Sequence, residues 1–172
     1  MAPTYRELLT SATTSAVHLE MRDVYTVESE QERIAAWRAG HRYDPADRAS
    51  WWRPWLDLIV ETVERGVDVR RARVVSEPVN EYIRYSHAYA FTNVAAGERL
   101  RWLPRAMASD LALPGNDFWL VDGRLVLFNL FDGGGRPTGV EVSEKPGVAE
   151  LCATAFDAVW GRGIDHQDYR PA

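Results

Sequence analysis

The stretch Arg71–Arg105, RARVVSEPVNEYIRYSHAYAFTNVAAGERLRWLPR, constrains the fold more than any other. It opens as a buried-type strand at Ala72–Val75, the end of a strand that starts at Val67. It breaks at Ser76-Glu77-Pro78, where proline is tolerated in a first helical turn and the Glu carboxylate would face a positive helix end. Val79, Tyr82, Ile83, Ser86 and Ala90 then recur at i, i+3, i+4, i+7 and i+11, one face of a helix. Asn93 to Gly97 stop it, and Glu98–Leu103 reads as the next strand, closed by Pro104. The unit predicted is strand–helix–strand, with many polar groups at its turns.

Before it, Pro3–Thr10 reads as a short helix or turn with Tyr5, Leu8 and Leu9 inward. Ala16–Val27 reads as a strand in which Val17, Leu19 and Met21 alternate with His18, Glu20 and Arg22. Glu28–Ala39 is a helix closed by Gly40, and Ser50–Gly66 another, starting near Trp51 because Pro54 must lie in its first turn. Its tryptophans form stripes that either pack on a sheet or line an aromatic ligand pocket. After Arg105, Asp117–Val121 and Arg124–Phe131 form a hairpin joined at Asp122-Gly123. Asp132–Gly135 turns into a strand at Gly139–Ser143, and Val148–Trp160 is the closing helix. Strands separated by helices early, then a late meander, imply an α/β (α+β) sandwich with a mixed β-sheet flanked by helices.

At 172 residues with 46% hydrophobic content, the chain is expected to be one domain over 1–172, with 1–15 partly ordered and 161–172 a polar tail. A net charge of −5 argues against direct nucleic-acid binding, which needs a concentrated basic face. Cys152 stands alone in an apolar helix, so no internal disulfide forms and a buried thiol is expected. No apolar run approaches the roughly 20 residues of a membrane span, and MAPTYRELL has no signal-peptide core. A cytoplasmic, membrane-free protein is expected. The four histidines are scattered, so no metal site is expected; the densest ligand-like group, Asp165, His166 and Asp168, falls in a tail read as flexible. The glycine turn lacks a phosphate-loop pattern, and no G-x-S-x-G elbow occurs, so no cofactor is expected.

The strings HLEMRDVY, WWRPWLDL, RVVSEP, NVAAGE, LRWLPR and GNDFWLVDGRLVLFN together resemble a family of short actinobacterial proteins. Its members are known only as a domain of unknown function and are often encoded beside helix-turn-helix regulators. The likeness runs from about Leu8 to Pro171. The hairpin Asn116–Phe131 also resembles the H-x-K-x-x-x-x-D hairpin of phospholipase D-like domains. Matching Asp122 to that Asp puts Asp117 at the Lys and Gly115 at the His. The resemblance thus implies a phospholipase D-like half-domain without the nucleophilic His and the phosphate-binding Lys. It also implies a possible homodimer, because that fold builds its cleft from two halves.

Ligands of open sheets gather outside the carboxyl ends of parallel strands, where Ser76, Glu77, Trp102, Arg105 and Asp117 are expected. Glu77, Glu81 and Arg84 fall at i, i+4 and i+7 on the expected helix face, with His87 three residues on. These four are the acid–base candidates; an internal Glu–Arg network fits the same spacing. Tyr82 on that helix and Glu20 and Arg22 on the first strand complete the candidate ligand-binding set, although charges on an exposed strand face fit as well. The leading expectation is a non-catalytic binding or regulatory module that recognises a protein partner, such as a helix-turn-helix regulator, or a small ligand. The alternative is an enzyme of small-molecule metabolism using those Glu, Arg and His groups without metal or nucleotide cofactor.

Overall fold

The structure, a computed structural model, describes residues 3–172. In chain order the elements are α1 (Tyr5–Ser11), β1 (Ser15–Glu20), α2 (Gln31–Arg38), α3 (Arg48–Trp51), α4 (Pro54–Glu64) and β2 (Asp68–Val75). There follow α5 (Glu81–Tyr89), α6 (Phe91–Ala95), β3 (Arg99–Pro104), β4 (Asp117–Val121), β5 (Leu125–Phe131), β6 (Pro137–Ser143), α7 (Pro146–Arg162) and β7 (Ile164–Asp165). All seven strands pair into one mixed sheet of order β6-β5-β4-β1-β2-β3-β7. Its centre, β1-β2-β3, is parallel, as helical crossovers require; β4, β5 and β6 return as an antiparallel meander.

Alternation along the strands sends Val17, Leu19, Ala72, Val74, Phe118, Leu120 and Val126 to one face. There α7 buries Cys152, Ala155, Phe156 and Val159 against them. On the opposite face α1 and α4 supply Leu8, Leu9, Leu56 and Ile59 over the amino ends of β1 and β2. The carboxyl half of that second face is not closed by apolar packing, and this positions the site.

Several local expectations are corrected. β1 ends at Glu20, not near Val27, because Asp23 turns away to accept from the Ser76 N–H (2.8 Å) and hydroxyl (2.6 Å). The helix expected from near Trp51 is two helices. The residue before Pro54 is forced into extended backbone, so Arg53 (φ −147°, ψ 158°) separates α3 from α4, which Pro54 opens at its first position. Pro78 does not sit in a helical turn. It follows a cis peptide from Glu77, and α5 begins only after Asn80, whose side chain accepts from the Ile83 N–H at 2.9 Å. Asn is among the strongest N-caps, so the start moves there. Of the expected segment 1–15, residues 1 and 2 lie outside the described residues, and a capping box of Thr4 and Glu7 starts α1. The carboxyl tail, expected to be free, is packed on the domain: Tyr169 is 2% exposed, stacked on Trp102 at 5.5 Å, and its hydroxyl donates to Glu77.

Asp122 at the hairpin tip adopts φ +50°, a conformation Asp tolerates, and its carboxylate gathers the N–H groups of Thr13, Thr14 and Ser15 and two threonine hydroxyls. Partial burial alone would raise its pKa, but these hydrogen bonds overcome that and hold the carboxyl well below the usual range. It ties the entry of β1 to the β4–β5 hairpin. Asp122→Ala is expected to cost about 1.5–3 kcal/mol, read as a lowered urea midpoint at neutral pH; an unchanged midpoint would show the tie to be decorative.

Candidate functional site

The parallel register of β1 and β2 sets His18 beside Arg71 and Glu20 beside Arg73. The antiparallel register with β4 sets His18 opposite Trp119, and continuing it places Asp117 beside Glu20. Asp117 in turn pairs with Asn129 on β5. Two rows of polar and aromatic side chains therefore cross the sheet on the face that α1 and α4 leave open. Above them lies a cavity of about 700 Å³. Its far wall comes from the segments around α2 and α5, with Glu30, Arg33, Tyr82, Tyr85, Ser86 and Tyr89, while Arg53 and Trp55 close one side.

The loop after β1 closes another side. Tyr25 reaches back to donate to Asp117, and the Thr26 N–H donates to the Gly135 carbonyl at 2.8 Å. That approach requires glycine: Gly135 has φ +80°, and a Cβ there would fall 2.7 Å from the Val24 carbonyl.

The floor is a buried ion network. Arg71 donates from Nε to Glu98 Oε1 at 2.7 Å and from Nη1 to Glu20 Oε1 at 3.1 Å. Arg73 Nε lies 2.7 Å from Glu20 Oε2. Burial alone would raise the Glu20 pKa, but Arg73 and Arg71 overcome it and hold the carboxyl at about 2. Burial drives His18 down to about 3, with Arg71 and Arg73 adding to the effect, so its ring is neutral. It stacks on Trp119 at 4.3 Å. Asp117 behaves oppositely: burial, assisted by the Glu20 charge, raises it to about 6 against the hydrogen bonds from Tyr25 and Met21. Tyr5 donates to Asn129 Oδ1 at 2.7 Å, and Arg53 donates to Thr92 (3.0 Å) and Asn93 (2.9 Å).

The residues singled out from sequence divide sharply. Glu20, Tyr82 and Asp117 line the cavity. Arg22, Arg105 and Asp117 border a second hollow of about 310 Å³ together with Gly115, so the two positions matched to the phospholipase D His and Lys share one recess. Ser76 is tied up with Asp23 and Arg105, and Trp102 is fully buried against Tyr169.

The four acid–base candidates do not converge. Glu77 precedes α5 and binds Tyr169; Glu81 pairs on the surface with Arg38 at 2.6 Å; Arg84 points to solvent. His87 packs near His166, with Nε2 3.2 Å from the Tyr169 carbonyl, and burial lowers its pKa. The later start of α5 removes Glu77 from the face it was expected to share, and none of the four borders the cavity.

Sequence reasoning missed His18, Arg71, Arg73, Tyr25, Asn129 and Trp119 as site residues. The signal was polar alternation on strands destined for a sheet covered on both faces, where a polar row must face either a paired interior or a cavity. No group of His, Cys, Asp and Glu suited to a metal ion occurs among the described residues, and none of their helices is long and apolar enough to cross a membrane.

No curated protein matches this chain. Among solved structures it is similar to Nuc, a phospholipase D family member from Salmonella typhimurium, with TM-score 0.55 and 18% identity over 96% of this chain and 88% of that one. TrmBL2, an archaeal chromatin protein whose structure shows a novel mode of DNA binding, gives TM-score 0.49 and 16% identity over 92% of this chain and 48% of that one. At 18% identity the likeness to Nuc is one of fold, and it agrees with the mixed sheet described above. The chain belongs to the family described as a domain of unknown function (DUF6879), whose model matches residues 3–171.

Proposed function

We propose that this domain is a non-catalytic binding module whose ligand is a small molecule held in the 700 Å³ cavity. The observation that carries the reading is the cavity itself: its size suits a drug-sized molecule, and walls rich in Tyr and Trp stand over a floor of convergent polar groups. Gly115 and Asp117 supply neither the imidazole nor the ammonium of the phospholipase D pattern, and an ionised aspartate there repels a phosphodiester. A protein partner such as a helix-turn-helix regulator enters this proposal as the reader of the occupied state.

The test is titration with N-phenyl-1-naphthylamine, an uncharged fluorophore that brightens in apolar sites. Saturable one-site binding is expected, abolished by Ser86→Trp, which fills the cavity from α5. Absence of saturable binding, or unchanged binding by folded Ser86→Trp, would overturn the reading.

One observation favours the enzyme alternative. Asp117, raised to about 6 and in contact with Tyr25, is suited to carry a proton near neutral pH. That reading requires a bound compound to be converted, with conversion lost in Asp117→Asn; recovery of the compound unchanged supports the binding module.

A further inference from the structure

Resting on the reading of the cavity as a ligand site, we infer that its ligand is a flat, ring-bearing monoanion whose carboxylate-like group docks on Arg73. Among the cations that border the cavity, Arg73 has the least satisfied side chain. Its Nε and Nη1 are buried without a hydrogen-bond acceptor, and Nη2, which has no hydrogen-bond partner either, is the end of the group that accounts for the side chain's 13% exposure. The 2.7 Å approach of Nε to Glu20 Oε2 provides charge attraction, but the N–H does not point at that oxygen. The other cations differ: Arg71 has Glu98 and Glu20, Arg53 has Thr92 and Asn93, and Arg33, with only long contacts to the Tyr85 hydroxyl (3.4 Å) and Glu30 (4.0 Å), keeps 30% of its side chain exposed. A largely buried cation with so few acceptors is costly, so an acceptor oxygen brought by the ligand to the open Nη2 gains the most at this point.

The sign of the ligand's charge follows from the same inventory. Asp117 already accepts from Tyr25 and from the Met21 N–H, so it does not call for a cationic ligand. Glu20 is shared between Arg71 and Arg73, and Arg71 has Glu98 as well, so the floor is close to balanced. The positive charge left over at the cavity is that of Arg53, whose partners Thr92 and Asn93 are neutral, so one added negative charge at Arg73 leaves the lining near balance and a second would face Glu20 unopposed.

The walls specify the rest of the molecule. Tyr25 sits 5.6 Å from Tyr82 and 5.3 Å from Phe131, and Trp55 meets Trp119 edge-on at 6.1 Å. Such ring surfaces favour a flat aromatic partner by offset or edge-to-face stacking.

Displacement of bound N-phenyl-1-naphthylamine by naphthalene-2-carboxylate, 2-naphthamide and 2-naphthyl phosphate tests the inference on the parent, Arg73→Met and Arg73→Gln. In the parent the carboxylate is expected to displace at about tenfold lower concentration than the amide or the phosphate. In either variant the carboxylate and amide should come within about twofold of each other. If neither variant folds, the acid-to-amide ratio in the parent decides alone. Equal displacement by acid and amide, displacement by neither, or preference for the phosphate overturns the ligand class while leaving the cavity reading in place. Failure of the fluorophore itself to bind removes both.

Discussion

Replacing Arg71 with Met is expected to lower folding stability by about 3–5 kcal/mol, since it removes one partner from a buried ion network and leaves the others uncompensated. Arg71 is 8% exposed and Glu98 1% exposed, and a single guanidinium bridges Glu98 to Glu20 across neighbouring strands. Without it Glu98 keeps only the Asn93 amide, and Glu20 keeps only the off-axis contact with Arg73. Met fills much the same volume, so the loss reports charge, not a void. Against a total of about 5–15 kcal/mol for an ordinary domain, such a loss brings the protein close to unfolding at room temperature. Urea denaturation of the parent, Arg71→Met, Glu98→Gln and the double variant measures it. The double variant should recover part of the loss, because the stranded Glu98 charge has gone with its partner. Strict additivity of the two single changes would show that Arg71 and Glu98 do not act as a pair.

The fold was legible where local chemistry leaves little choice. The β2–α5–β3 unit follows from a period of 3.6 between two apolar runs, and the Asp122-Gly123 tip from residues that tolerate left-handed backbone. The phospholipase D-like architecture agrees with the likeness to Nuc. Errors arose where two local rules competed. At Ser76–Asn80 both Pro78 and Asn80 are plausible helix openers, and choosing Pro78 put Glu77 on a face it does not share with Glu81. In the tail, a polar sequence hid Tyr169, whose burial depends on Trp102 more than sixty residues earlier. The site was least legible because it is a property of register. His18-x-Glu20, Arg71-x-Arg73 and Asp117-x-Trp119 each look like ordinary strand alternation, and only the pairing of β1 with β2 and β4 brings them onto one covered face. Read one strand at a time, such charges fit solvent equally well.

Two buried groups on that floor should give the protein opposing pH dependences, separable by mutation. His18 has its pKa lowered by burial from 6.5 to about 3, so between those values the unfolded chain takes up a proton that the folded one refuses. Its stabilising contribution is complete above 6.5 and is lost as pH falls towards 3, at about 1.4 kcal/mol per pH unit. Asp117 is raised by burial from 3.8 to about 6, so in that range the folded state holds the extra proton. Its contribution is complete below 3.8 and is lost as pH rises through about 6, with the same slope and the opposite sign. Between about pH 4 and 6 the two nearly cancel in the parent. Asp117→Asn removes the second, so from pH 4 to 6 its stability should rise relative to the parent by about 2 kcal/mol. His18→Phe keeps a ring to stack on Trp119 and removes the first, so over the same interval its stability should fall relative to the parent by about 2.5 kcal/mol. The double variant should track the parent's pH dependence. Urea midpoints at half-unit steps of pH decide the matter. Curves for Asp117→Asn and His18→Phe that stay parallel to the parent would show that neither side chain is held in the protonation state its burial imposes.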